Sequence, residues 1–213
     1  MWPDSTETQE LLTQALAGDP AAVNQLLARH RDALRRMVEL RMDRALARRV
    51  DASDVVQDVL VEANRRLADY LQSPAKMPFH LWLRQMAQDR LIDAHRRHRG
   101  AARRSLDREQ PLGVAHADQS ALDLAAQLRD HRELTPAAAA TQRELERRFE
   151  AAVEQLEETD REVVLMRHFE HLSNQETAQA LELSEAAAGM RYLRAMRRLR
   201  TLLQETPSER GSP

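Results

Sequence analysis

Ser173-Asn-Gln-Glu-Thr-Ala-Gln-Ala-Leu-Glu-Leu-Ser184, followed by Glu185-Ala-Ala-Ala-Gly-Met-Arg-Tyr-Leu-Arg-Ala-Met-Arg-Arg-Leu-Arg200-Thr-Leu-Leu203, reads as two helices separated by a very short turn. Ser173 and Glu176 have the spacing of a capping box, in which two side chains satisfy orphan amide donors reciprocally. The first helix runs to Leu181, Glu182-Leu183 makes the turn, and the second runs from about Ser184 to Leu203. Ala178 and Leu181 face inward, Leu183 packs the turn, and Ala188, Ala195 and Leu199 hold the second helix against them. That burial leaves Glu185, Ala187, Arg191, Arg194 and Arg198 on or near the outer face. Such a pair has the length and spacing of a helix-turn-helix, whose second helix enters the major groove of DNA by its N-terminal residues. The candidate contacts are Ser184, Glu185, Ala187, Ala188, Arg191, Tyr192, Arg194 and Arg198. An ordinary solvated arginine face is the bland alternative, and the capped, turn-linked pair disfavours it.

The rest of the chain is helical in pattern too. Among 213 residues only 5 are Gly and 3% are aromatic, while 31% are charged. Ala, Leu, Arg, Glu and Gln, all helix formers, dominate almost every stretch, and no run alternates as a strand requires. Thr6 with Gln9 and Thr159 with Glu162 also fit the capping box, and Asp19-Pro20 and Thr135-Pro136 each place a cap before a proline at the first helical position. From Pro20, Val23, Leu26, Leu27, Leu34, Met37, Val38 and Leu40 recur at helical spacing; after Asp51, so do Val55, Val56, Val59, Leu60, Ala63 and Leu67. Ser73-Pro74 through Pro78 breaks the pattern. A further helix runs from Phe79 to about His98, with Phe79, Leu83, Met86 and Ala87 as core. From Gly100 to Leu134 the periodicity weakens, although Ala121 to Leu128 has the makings of a short helix. This segment reads as a linker between two small bundles. The expected fold is therefore all-α, two helical bundles joined by a linker, the C-terminal one containing the helix-turn-helix. Met1–Ser5 and Thr206–Pro213 read as disordered tails.

The formal net charge is -2, which on its face argues against nucleic acid, because affinity for phosphate comes from basic side chains releasing counterions. The average conceals two clusters: Arg84, Arg90, Arg96, Arg97, Arg99, Arg103 and Arg104, and then Arg191, Arg194, Arg197, Arg198 and Arg200. Guanidinium grips phosphate or a guanine edge with two hydrogen bonds.

Other function classes lack support. There is no Cys, so no disulfide framework or catalytic thiol. His95 with His98 and His168 with His171 are spaced to share a helical face, but neither pair has an obvious third ligand, so no metal site is assigned. No nucleophile triad, phosphate-cradling glycine loop or dinucleotide fingerprint occurs, so neither an enzymatic role nor a cofactor is expected. No apolar run spans a membrane and the start lacks secretory character, so the expected location is the cytoplasm.

Asp51-Ala-Ser-Asp54-Val-Val-Gln57-Asp58 opens a helix with acidic and amide groups beside an apolar stripe. Capping and the helix dipole account for part of that composition, and a partner surface is the sharper alternative. These eight residues, Phe79 through Arg97, and Leu156 through Leu202, in that order, resemble the sigma-70 family of bacterial RNA polymerase sigma factors, specifically the small extracytoplasmic-function type. The resemblance covers most of residues 20–205. It implies a sigma region 2-like domain over 6–99, a flexible linker over 100–134 and a region 4-like domain over 135–205. By the resemblance, Asp51, Asp54, Val55, Gln57 and Asp58 contact the polymerase. Trp82, Gln88, Asp89, Asp93, Arg96 and Arg97 open and read the minus-10 promoter element, and the helix-turn-helix reads the minus-35 element. The implied partners are core RNA polymerase and promoter DNA, with an anti-sigma factor as a further candidate. A helix-turn-helix regulator that replaces no sigma factor, and a purely structural helical protein, are the competing classes.

Four positions depart from the family pattern. Asp89 stands where many relatives carry Asn and accepts but cannot donate a hydrogen bond. Glu182 stands where the turn often has Gly; in a left-handed backbone a non-Gly residue there is strained by roughly 1 kcal/mol or more. Gly189 and Met190 replace residues that are commonly polar.

Overall fold

The computed structural model describes residues 2–72, 77–105, 148–149 and 151–205, and among these every regular element is helical. By its contacts the chain divides into two units, Met1–His116 and Ala117–Pro213.

In the first unit, α1 (Ser5–Leu16), α2 (Pro20–Glu39), α3 (Arg44–Ala47), α4 (Ala52–Gln72) and α5 (Phe79–Ser105) surround one core. Asp4, not Thr6, caps α1: its carboxylate accepts from the amides of Thr6 at 2.8 Å and Glu7 at 3.3 Å. The helix already begins at Ser5, so Thr6 lies inside it and its own amide is bonded to the Asp4 cap. α1 ends where Gly18 takes φ +89°, with its amide donating to Ala15 and that of Asp19 to Gln14, a left-handed stop that suits glycine. α2 begins as expected, with Asp19 accepting from Ala21 at 2.8 Å and Pro20 at the first helical position. Its Leu26, Leu34, Met37 and Val38 are fully buried. They meet Val56, Val59 and Ala63 of α4 and Leu83 and Ala87 of α5 in the same core. α5 extends to Ser105, past the expected end near His98 and through the first residues of the expected linker. The rest of that linker and the Thr135-Pro136 start lie outside the described residues, as do 73–76 of the expected break and the 206–213 tail.

The N-terminal tail is more ordered than its composition suggests. Trp2 packs on the core, its ring 6.3 Å from that of His30 and 5.7 Å from that of His80. Beyond them Phe79, Tyr70 and Trp82 continue the cluster, and the Tyr70 hydroxyl donates to the Met77 carbonyl at 3.0 Å. His30 is 1% exposed, bonds through Nδ1 to the Leu26 carbonyl at 2.8 Å, and stands edge-on to Phe79. Burial pushes its pKa down to about 4, because the charged imidazolium is poorly solvated there.

In the second unit, α6 (Glu158–Val164) runs into a π-helical turn (Leu165–Phe169), followed by α7 (Asn174–Ala180) and α8 (Glu185–Glu205). The expected Thr159 cap does not form: α6 already begins at Glu158, which places Thr159 inside the helix. α8 packs against both α6 and α7; Ala188, Ala195, Leu199 and Leu202 are buried on α8, as are Val163 on α6 and Ala178 on α7. Leu181 and Leu183 are half-buried.

Candidate nucleic-acid interface

The entry to α7 is the capping box read from the sequence. The Glu176 amide donates to Ser173 Oγ at 3.1 Å and the Ser173 amide to Glu176 Oε2 at 2.7 Å. At its far end Glu182 adopts φ 55°, while its own amide donates to Gln179 at 3.3 Å and the Leu183 amide to Ala178 at 2.9 Å. This pair of reversed bonds is the usual left-handed helix stop, here made with a residue that carries a Cβ. Ser184 then caps α8 by accepting from the Ala187 amide at 3.2 Å. Asn174 Nδ2 donates to the Glu185 carbonyl at 2.9 Å, joining the starts of the two helices. A helix-turn-helix follows from these local bonds and from the alanine seam between the helices.

The orientation of α8 divides the predicted contacts into groups. Ser184, Glu185, Ala187, Arg194 and Arg198 are exposed, whereas Arg191 and Tyr192 are half-buried. Ala188 is 1% exposed, so it belongs to the seam and cannot touch DNA. Opposite the seam lie Ala186, Met190, Leu193 and Arg197, all exposed. The line expected from the sequence, through Ala187, Arg191, Arg194 and Arg198, lies one position away from this one, because arginine spacing does not mark the direction in which a helix face points.

Two of the candidates are tied to other elements. Arg194 donates to both carboxylate oxygens of Asp160 on α6, at 2.7 and 3.2 Å. Asp160 is buried while the arginine side chain is still 64% exposed. The hydrogen bond to Asp160, reinforced by its charge, holds the Arg194 pKa above its ordinary value. Tyr192 shares a hydrogen bond of 2.8 Å with His168 Nε2 and lies beneath the Arg167 guanidinium, 5.5 Å from the ring centre. Arg167 in turn donates to the Leu172 carbonyl at 2.7 Å. Burial, then the nearby Arg167 and His171, lowers the His168 pKa. These ties fix the rotation of α8 about its axis, and with it which side chains face outward.

In the first unit, Asp51, Asp54, Gln57 and Asp58 are exposed along the first turns of α4. Asp51 also accepts from the Ser53 amide at 2.7 Å, a capping bond that holds its carboxyl below the usual pKa. Val55 is 6% exposed and lies in the core, so it supports this row from beneath and offers no surface contact. On α5, Asp89, Asp93, Arg96 and Arg97 are exposed. Arg97 Nε donates to the Asp93 carbonyl at 3.3 Å, and Arg96 lies 4.0 Å from the Asp93 carboxylate. Trp82 is half-buried, stacked on Tyr70 at 4.6 Å. Gln88 is half-buried, and its Oε1 is buried without a hydrogen-bond partner among the described residues. No group of three or more potential metal ligands occurs among the described residues.

Residues 146–199 match the family model of sigma-70, region 4. The chain is similar in fold to CnrH, as solved in complex with the cytosolic domain of CnrY, with a TM-score of 0.57, 25% identity, and coverage of 94% of this chain and 99% of that one. It also resembles the sigma factor RpoE, as solved in complex with the anti-sigma factor NepR from Bartonella quintana, with a TM-score of 0.55, 19% identity, and coverage of 86% and 98%. A comparison with curated proteins gives no match. The helix-turn-helix thus falls largely within the stretch that matches region 4, in a chain similar in fold to CnrH and RpoE.

Proposed function

We propose that the chain is a sigma factor of the small extracytoplasmic-function type, which binds core RNA polymerase and directs it to specific promoters. The region 4 match over 146–199, lying on a capped and turn-linked helix pair, carries this reading. In it, the first unit docks on polymerase through the exposed row Asp51, Asp54, Gln57 and Asp58. The outer face of α5, with Asp89, Asp93, Arg96 and Arg97, then meets the minus-10 element. Capture of an unstacked base there offsets an unstacking cost of a few kcal/mol. α8 reads the minus-35 element, and its exposed arginines neutralise flanking phosphates. The segment between the units acts as a linker. No covalent chemistry is assigned to the protein: all of the effect is binding and placement.

By likeness to RpoE, which was solved with an anti-sigma factor, a restraining protein partner belongs to the same reading. No helix among the described residues is long and apolar enough to cross a membrane, which accords with action in the cytoplasm, where the polymerase works.

The test is transcription in vitro with purified core polymerase, this protein and DNA from its own genome, with RNA starts mapped. Starts that appear only when the protein is added support the proposal. If no start depends on it, or if the protein binds promoters tightly without polymerase and alters initiation by another sigma factor, the proposal fails.

A further inference from the structure

The exposed face of α8 is apolar at its N-terminal end and cationic only further along. Ala186, Ala187 and Met190 are exposed in the first two turns, Met190 at 64%, and Leu193 follows at 49%. Arg197, Arg198 and Arg200 are exposed only after that. Among the described residues, the other large exposed apolar side chains, Leu16, Val61 and Ile92, are scattered over α1, α4 and α5. Met190 and Leu193 stand three residues apart on one helix.

In a helix-turn-helix the first turns of the second helix meet the base edges. Guanine is read there by Arg or Lys and adenine by Asn or Gln, and from Glu185 to Met190 the helix has none of these. Arg191, the first arginine, is half-buried. Of the four bases only thymine presents an apolar group in the major groove, its C5-methyl. The arginines further along the same helix match a polyanion, so charge complementarity favours DNA over an apolar protein surface as the occupant of this face.

We propose that Met190, together with Ala186 and Ala187, selects thymine methyl groups in the upstream promoter element. The inference rests on the reading of α8 as the minus-35 contact and adds the chemistry by which it discriminates. Glu185, an acceptor at the start of the same helix, suits the exocyclic amine of a neighbouring cytosine.

The experiment is a selection of random DNA duplexes by the full chain in complex with core polymerase. Each recovered thymine in the upstream element is then replaced by deoxyuridine, which removes only the methyl. Binding is compared for the unaltered protein, Met190→Gln and Met190→Leu. Met190 is exposed, so neither variant threatens the fold. The expected result is at least one thymine whose replacement weakens binding about three- to fourfold, the effect of one buried carbon. Met190→Gln should lose this sensitivity and Met190→Leu should keep it. Upstream elements without thymine, indifference to deoxyuridine, or unchanged sensitivity in Met190→Gln would overturn the inference while leaving the sigma-factor reading intact. Failure to enrich any DNA would overturn both.

Discussion

Acidification should destabilise the first unit through His30. Its imidazole is 1% exposed, bonded to the Leu26 carbonyl and packed edge-on against Phe79. Its pKa falls from 6.5 to about 4. The folded state therefore resists a proton that the unfolded chain accepts. The stability contributed by neutral His30 is fully present above pH 6.5 and drains away as the pH falls toward 4. A difference of roughly 2.5 in pKa, at about 1.4 kcal/mol each, amounts to about 3 kcal/mol in total, of which about 2 kcal/mol is gone by pH 5. Urea unfolding followed by tryptophan fluorescence suits the measurement, because both tryptophans, Trp2 and Trp82, lie in this unit. Between about pH 8 and pH 5 the natural protein should lose about 2 kcal/mol more than His30→Gln, which retains a donor for Leu26 but does not titrate. Imidazole titration by NMR gives a check that does not depend on the variant folding. Parallel losses in the two proteins, or a His30 that titrates near its ordinary value, would refute the burial account.

The second unit supplies further tests. Glu182→Gly should raise its thermal stability by up to about 1 kcal/mol, since relief of the left-handed backbone at φ 55° outweighs the added freedom of glycine in the unfolded chain. Gly189→Ala should also stabilise by up to about 1 kcal/mol, because the new Cβ would meet Asn174 Oδ1 at 3.6 Å, an ordinary contact, inside a helix. Ser173→Ala should cost about 1 kcal/mol in the same melting assay by breaking the capping box. In DNA binding measured against salt concentration, Arg198→Ala should lower the slope of the log–log plot by about 1 if it meets a phosphate. Arg194→Ala should change that slope less, because its guanidinium is committed to Asp160; an equal change would show that the pair opens on DNA.

Much of the architecture was legible because it is local. The Ser173 capping box, the Asp19-Pro20 start and the helical spacing of α2 and α4 depend on residues within one or two turns, and the structure forms each of them. Where two local solutions compete, sequence does not rank them: Asp4 and Thr6 both qualify as caps, and Thr159 fits the box although α6 starts before it. The order at Trp2 is not legible locally, because its partners, His30 and His80, are remote in the chain.

For the candidate interface the division is the same. Residue order alone determined that the chain is helical, that a helix-turn-helix closes it and that arginines crowd its second helix, because periodicity and capping are set by neighbours along the chain. Only the tertiary structure decided which of those side chains face outward. Arg194 belongs with Asp160, 34 residues earlier, and Tyr192 with His168, 24 residues earlier. Ala188 sinks into the seam while Met190 and Leu193 emerge from it. Helical spacing fixes the angles between residues on one helix but leaves that helix free to turn about its own axis. That rotation is set by the helices it packs against.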